Sequence, residues 1–545
     1  MFLKFSIGLA MTSLLSIAPC DSLAQTVNAP SAEHAEIMPA GEFRNFGPPA
    51  QVSTHRGAVI VETGDGEFKL LMNLSDWTGG YGIALVDPET GETEFFKYPF
   101  QAEDSPFASL YSSKGKFYNQ FGNYFCEFDP KTREFTFVEK TKDRVSMMMT
   151  EDDQGVIWAG AYPDAHLMSF DPKSRVFKEH GKLNEESWPQ YPRSLAADDA
   201  GWIYAGIAFT RCQIVAYNPK TGALKKIAPE EERVSGSFDI RSPFHARATQ
   251  GTVWRAKDGK VYAHMPASPD RPWFRLHNGE AERVESVSDV TPNLEVAGSQ
   301  FLFQGKIPGG GEIVDLDVPK GVFTLVKPDG SRKQVSFKYP SSGARIASMC
   351  MGPDGRCYGS TGHPLQFFAL DPVTGKYAEA PDALGGHINA ITSMGEDVYG
   401  AIYTQGVLVR HKAATKTDVL DIEKLTQAGE AVLRPFDLKG LSNGHELVMV
   451  GAPGYGLTGG GMLFYDTKTS QTTILQHKDV IPDHSTKVIV ELPDGTLLGG
   501  TTIEAGTGGQ PIAKEARLYM MSMPERKVVF NEVSCLRFPN IEIYS

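Results

Sequence analysis

Arg, His and Tyr recur at two fixed positions within a repeating pattern of this 545-residue chain. At the first position stand Arg144, Tyr191 with Arg193, His245, Arg345, His387 and His484. At the second stand His166, Arg211 and His363, with Trp77 and Tyr81 at the equivalent place in the first repeat. Such a set suits β-elimination from a uronic acid. A cation neutralises the carboxylate and acidifies the adjacent C–H, a His or Tyr removes that proton, and a further group protonates the leaving oxygen. On this reading His166, Tyr191, His363 and His387 are catalytic. Arg144, Arg193, Arg211, His245, Arg345 and His484 then bind an anionic saccharide or a similar small molecule. Each residue alone would pass for an ordinary surface or ion-pair side chain, and only the recurrence at equivalent positions singles the set out.

Other chemistries find no foothold. GxSxG, HExxH, a P-loop and a GxGxxG in strand–helix context are missing, and the carboxylates lack EF-hand spacing. No cofactor and no metal site is therefore expected, with a structural or carboxylate-neutralising divalent cation left open. A metal-dependent lactonase would need a Glu/Asn/Asp set on an axis, which the sequence does not reveal. Met147-Met148-Met149 reads as core.

The elements that must position these residues are written in two turn motifs. A strand ending in Asp-Pro and a Thr/Ser/Gly turn recurs at Asp87-Pro88, Asp129-Pro130, Asp171-Pro172, Asn218-Pro219 and Asp371-Pro372. Upstream of these lies a Gly turn before an aromatic, as in Asp153-Gln154-Gly155-Val156-Ile157-Trp158 and Asp199-Ala200-Gly201-Trp202-Ile203-Tyr204. The period is about 42 to 57 residues, that of a four-stranded antiparallel β-propeller blade. About ten units can be counted, beginning near Ala58, Pro106, Arg144, Pro192, Ala246, Leu294, Arg345, His387, His445 and His484. A single ring closes most often at seven or eight blades, so an extra module from about residue 385 is one way to place the surplus. The expected fold is an all-β propeller over 50–545, with the two registers opening at one end of the channel.

Asp-x-Gly-x-Ile-Trp/Tyr running into Asp-Pro-x-Thr-Gly resembles the blades of streptogramin-lyase-like and quinoprotein-like propellers, over nearly the whole mature chain. The resemblance implies the fold firmly and the activity weakly, because each motif is a turn. Propeller folds include polysaccharide and streptogramin lyases, which agrees with the elimination chemistry above by analogy. The alternative is a non-catalytic propeller that binds a glycan or a protein. A quinoprotein dehydrogenase is disfavoured by only 6 Trp, and a sialidase by Glu151 and Ala197 where its Asp-box needs Ser or Thr.

Composition and termini bound the rest. A net charge of −13 argues against nucleic acid as a partner. Gly 55 and Pro 35 fit a turn-rich β protein, and no stretch is long and apolar enough to span a membrane. Residues 1–24, with Lys4, the apolar run Phe5–Ile17 and Ser22-Leu23-Ala24, read as a signal peptide, so a secreted or periplasmic location is expected. Pro19 before Cys20 speaks against lipidation. Residues 25–49 read as a linker. Cys350 and Cys357 flank one hairpin, where free core thiols are favoured over a bond and turn register decides. Oligomeric state is not legible.

Overall fold

A computed structural model describes residues 44–51, 54–64, 66–75, 81–102, 106–208, 210–233, 251–265, 271–299, 301–341, 343–362, 365–380, 386–414 and 419–533. It is 53% strand and 2% helix, an all-β propeller architecture of mostly four-stranded antiparallel sheets. The leader, most of the linker, Trp77, His245 and His363 lie outside the described residues.

The repeated motifs are hydrogen-bonding devices. The Asp152 carboxylate accepts the Val156 backbone N–H and the Trp158 indole N–H, the latter at 2.8 Å, joining turn to following strand. Asp198 with Tyr204, Asp258 with Tyr262 and Asp354 with Tyr358 repeat the arrangement through the phenol O–H. The Asp-Pro turns work as Asx turns: Asp87, Asn218, Asp371 and Asp466 each accept two successive backbone N–H groups.

The inner strands of the units are Thr54–Gly64, Ser109–Tyr111, Val145–Glu151, Tyr191–Ala197, Thr252–Arg255, Phe303–Gln304, Ile346–Met351, His387–Met394, Arg434–Gly440 and Ser485–Glu491. Among the described residues they define blades 1 to 10 in chain order, as many as the repeat units counted. One counted start is out of phase. His445 lies in the hairpin between the first two strands of blade 9, whose inner strand begins at Arg434.

Apolar side chains between neighbouring sheets give the spatial order. Blade 6 packs on blade 1, then blades 1 to 5 follow one another. Blades 7 to 10 form a second arc. This second arc starts at Ile346, before residue 385. Met147 and Met149 are buried in the first arc.

A strap joins blade 5 to blade 6. From Thr291 to Leu302 the backbone bonds to Arg255 and Lys257 of blade 5, Met149 and Glu151 of blade 3, Ser109 of blade 2 and Ala58 of blade 1. It ends in a parallel pairing of Ala58 with Phe303 that adds Phe303–Gln304 to the sheet of blade 1, and just beyond it Lys306 bridges to Glu312 of blade 6. Gly298 permits the passage, since a Cβ there would stand 2.8 Å from the Ser109 carbonyl oxygen and 2.9 Å from the Met149 Cβ.

The arcs meet through loops. Gln510 of blade 10 donates to the Ser187 carbonyl at 2.9 Å, and Thr210 lies against Gly456 and Gly508. The end of the linker is anchored: Arg44 donates to the carbonyls of Pro372 and Val373, Tyr377 to that of Gly47, and Ala344 N–H to that of Ala50. Cys350 and Cys357 are free. Cys350 pairs across the sheet with Tyr358 and Cys357 with Met351, a stagger that puts the two thiols on opposite faces.

Candidate functional site

Three inner-strand starts and three strand or loop ends converge where the arcs meet. Tyr191 opens the inner strand of blade 4, and a bulge between Pro192 and Ser194 turns it toward Tyr162 at the end of the second strand of blade 3. Their rings lie 4.5 Å apart, packed on the apolar cluster that contains Val145 and Leu302. In the second arc His387 opens the inner strand of blade 8 and pairs across the sheet with Tyr403. The Tyr403 hydroxyl is 2.6 Å from that of Tyr455 in a blade 9 loop. Arg434, which opens the inner strand of blade 9, sets its guanidinium 4.6 Å from the Tyr403 ring centroid.

The electrostatics tie the two halves together. Burial pushes the Tyr191 phenol well above its ordinary value, with Tyr162 and Tyr403 adding and Arg434 opposing. Tyr455 is pushed up by burial and by Tyr403. Burial works against the Arg434 charge, but the surrounding phenol oxygens of Tyr403, Tyr455 and Tyr191 outweigh it, so Arg434 stays cationic. No carboxylate pairs with it among the described residues. His387 is held below its ordinary value, first by burial and then by Arg434 and Arg345, and is neutral at pH 7. The cluster thus offers a cation without an anion, a neutral imidazole and protonated phenols.

Of the residues singled out from sequence, Tyr191 and His387 sit in this cluster. Arg345 is exposed at its edge, near enough for its charge to act on His387. His363 falls outside the described residues, but its neighbour Gly362 lies against the His387 ring, 3.8 Å from Cε1 for a Cβ placed there. Arg193 follows Tyr191 by two residues and is discussed below. Arg144 is exposed, and its backbone N–H donates to the Tyr162 carbonyl at 3.0 Å. His245 is outside the described residues.

The remaining candidates are engaged locally. His166 Nδ1 is 2.9 Å from Asp143, whose carboxylate also accepts the backbone N–H groups of Asp164 and His166. Burial makes Asp143 a weaker acid than an ordinary aspartate, opposed by His166. Asp143, Asp164 and His166 bring three oxygen or nitrogen donors within 4.8 Å, a set that spacing in the sequence did not disclose. Asp164 is also paired with Lys182 at 3.1 Å, and Asp143 is occupied in bracing the loop that carries Tyr162. Arg211 pairs with Glu230 at 2.5 Å and donates to the Arg233 carbonyl. His484 is buried with both ring nitrogens on the carbonyls of Pro482 and Glu515. These last two serve the loops that hold them.

Sequence reading missed Arg434, Tyr403 and Tyr455. Arg434-Pro435 stands in its blade as Tyr191-Pro192 does in blade 4, a signal hidden by the misphased start at His445.

No protein-family model matches the chain, and neither does any curated protein sequence. Among solved structures, a streptogramin B lyase is similar at 15% identity, covering 58% of this chain and 93% of its own, with a TM-score of 0.30. The extracellular domain of a one-component system from B. thetaiotaomicron is similar at 11% identity, covering 90% and 72%, with a TM-score of 0.26. PorZ, a surface component of the type-IX secretion system of Porphyromonas gingivalis, is similar at 11% identity over 86% and 65%, with a TM-score of 0.31. These likenesses are of fold class and assign no activity.

Proposed function

We propose that the protein is an exported lyase that cleaves an acidic, uronic-acid-containing polysaccharide by β-elimination at the Tyr191–His387–Arg434 cluster. One observation carries the reading: Arg434, without a carboxylate partner among the described residues, stands among tyrosines beside a neutral histidine. Arg434 would neutralise the uronate carboxylate and make the adjacent C–H more acidic. His387 would take that proton. The C–H electron pair becomes the new double bond, the bond to the leaving oxygen breaks, and the Tyr403–Tyr455 pair returns a proton to that oxygen. Tyr191 and Tyr162 would form the wall on which the sugar ring rests. No helix among the described residues is long and apolar enough to cross a membrane, and the signal-like leader makes export part of the proposal.

The test is a screen of acidic polysaccharides for products that absorb in the short-wavelength ultraviolet as unsaturated sugars. Arg434→Gln should reduce kcat/KM on the responsive polymer about a hundredfold, the effect of losing one charge-stabilising contact of about 3 kcal/mol. Binding of such a polymer with no unsaturated product, from the wild type as from the variant, would replace the lyase with a glycan-binding propeller.

A further inference from the structure

We infer that Arg56 forms a second oxyanion site beside the Tyr191 cluster, which receives another sulfate or carboxylate group of the same anionic chain. The inference rests on the lyase reading for the identity of that chain, but the site itself stands on its own observations.

Four arginines are buried among the described residues: Arg56, Arg233, Arg255 and Arg356. Arg233 meets Glu186 at 2.5 Å, Arg255 meets Asp153 at 2.8 Å, and Arg356 meets Asp354 at 2.5 Å. These follow the rule that a buried cation is paired. Arg56 departs from it. It is 9% exposed, and its Nε faces no acceptor. Its guanidinium lies 5.0 Å from the Phe107 ring centroid, a contact that favours a cation without neutralising it. Burial first, and the Arg193 charge second, push Arg56 down to about 10.

The backbone aims Arg56 deliberately. It begins the inner strand of blade 1, where a bulge between His55 and Ala58 breaks the pairing. Gly57 takes φ of +127°, and a Cβ on it would come within 3.0 Å of both Phe117 and Ser109. The Arg56 carbonyl also accepts the Ser109 hydroxyl. The site lies beside the Tyr191 cluster, because Phe107, under the Arg56 guanidinium, packs on the same apolar cluster as Tyr162 and Tyr191. The guanidinium is a fork of donors that matches the flat face of a carboxylate or the oxygens of a sulfate. An oxyanion there would satisfy the idle Nε and neutralise the buried charge at once. A polyanionic chain lying across Tyr191 would thus be held at two anionic groups, one on Arg434 and one here.

The experiment reads melting temperature in sodium sulfate against sodium chloride at equal ionic strength. Sulfate should raise the wild-type melting temperature saturably, by several degrees at millimolar concentration. Arg56→Met should melt as high as the wild type or higher without anion, and should lose the sulfate response. Arg56→Lys should keep part of it. An Arg56→Met protein that melts lower in both salts would mark Arg56 as a packing residue and overturn the inference. An unchanged sulfate response would overturn it too. Arg434→Gln should retain the response while losing polymer turnover, and loss of the response there would assign the anion to Arg434 instead. A wild type with the sulfate response but no turnover of any uronate polymer would reject the lyase and leave the oxyanion site standing.

Discussion

His387 and Arg434 make a pair whose roles depend on each other. Burial, with the guanidinium adding to it, keeps the imidazole neutral, and a neutral imidazole is the form that can accept a proton. An NMR titration should therefore place His387 below the ordinary histidine value near 6.5. The sign for stability follows. Between the lowered folded value and about 6.5 the unfolded chain binds a proton that the folded protein refuses, so stability falls as pH drops through that window. His387→Asn should flatten this part of the profile, as measured by urea unfolding at several pH values. Arg345→Gln, by removing one repelling charge, should move the His387 titration upward. These side chains were only half legible in the sequence. Tyr191 and His387 begin strands that the repeat phases correctly, so their register gave them away. Arg434 was lost to a phase error, because the Asn443-Gly444 hairpin imitates a unit start. Tyr403 and Tyr455 lie at strand and loop ends where tyrosine is common, and only their approach across two blades distinguishes them. Arg56 stood two residues before the expected start of its blade.

At the scale of the element, the turn motifs carry the fold, and they were fully legible because their chemistry is local. Asp171 accepts the Lys173 backbone N–H at 2.9 Å and the Ser174 hydroxyl at 2.6 Å, and the Ser174 bond leads in holding it below the ordinary carboxylate range. Asp171→Ala should cost about 1 kcal/mol in unfolding free energy. Asp171→Asn should recover most of that, since Asn218 closes the same turn in blade 4. The loop that follows Tyr162 behaves differently, because its brace is distant in sequence. Asp143→Ala strands the backbone N–H groups of Asp164 and His166, and should destabilise by about 2 kcal/mol. The same change should blunt sugar binding by loosening Tyr162, seen as a raised KM with kcat less affected. An aspartate that reaches past twenty residues to hold a loop leaves no pattern that a periodic reading can find.

The whole molecule is two arcs joined by loops, an anchored N-terminal segment and a strap, and of these the sequence disclosed only the repeat count. The strap bonds through backbone groups, so residues 291–302 show no alternation or turn signature that would reveal their path. Gly298→Val should destabilise the first arc by roughly 2 kcal/mol through overpacking against Ser109 and Met149, measured by thermal unfolding. The strap also bears on the order of events during synthesis. Blade 1 leaves the ribosome first, yet Ala58 cannot bond to Leu302 and Phe303 until the chain has grown past blade 5. The earliest blade is therefore completed only after blades 2 to 5, and its exposed inner edge must wait, unpaired, for nearly half of the polypeptide to follow it. Under the export proposed above, that delay keeps blade 1 open until just over half of the chain has been made.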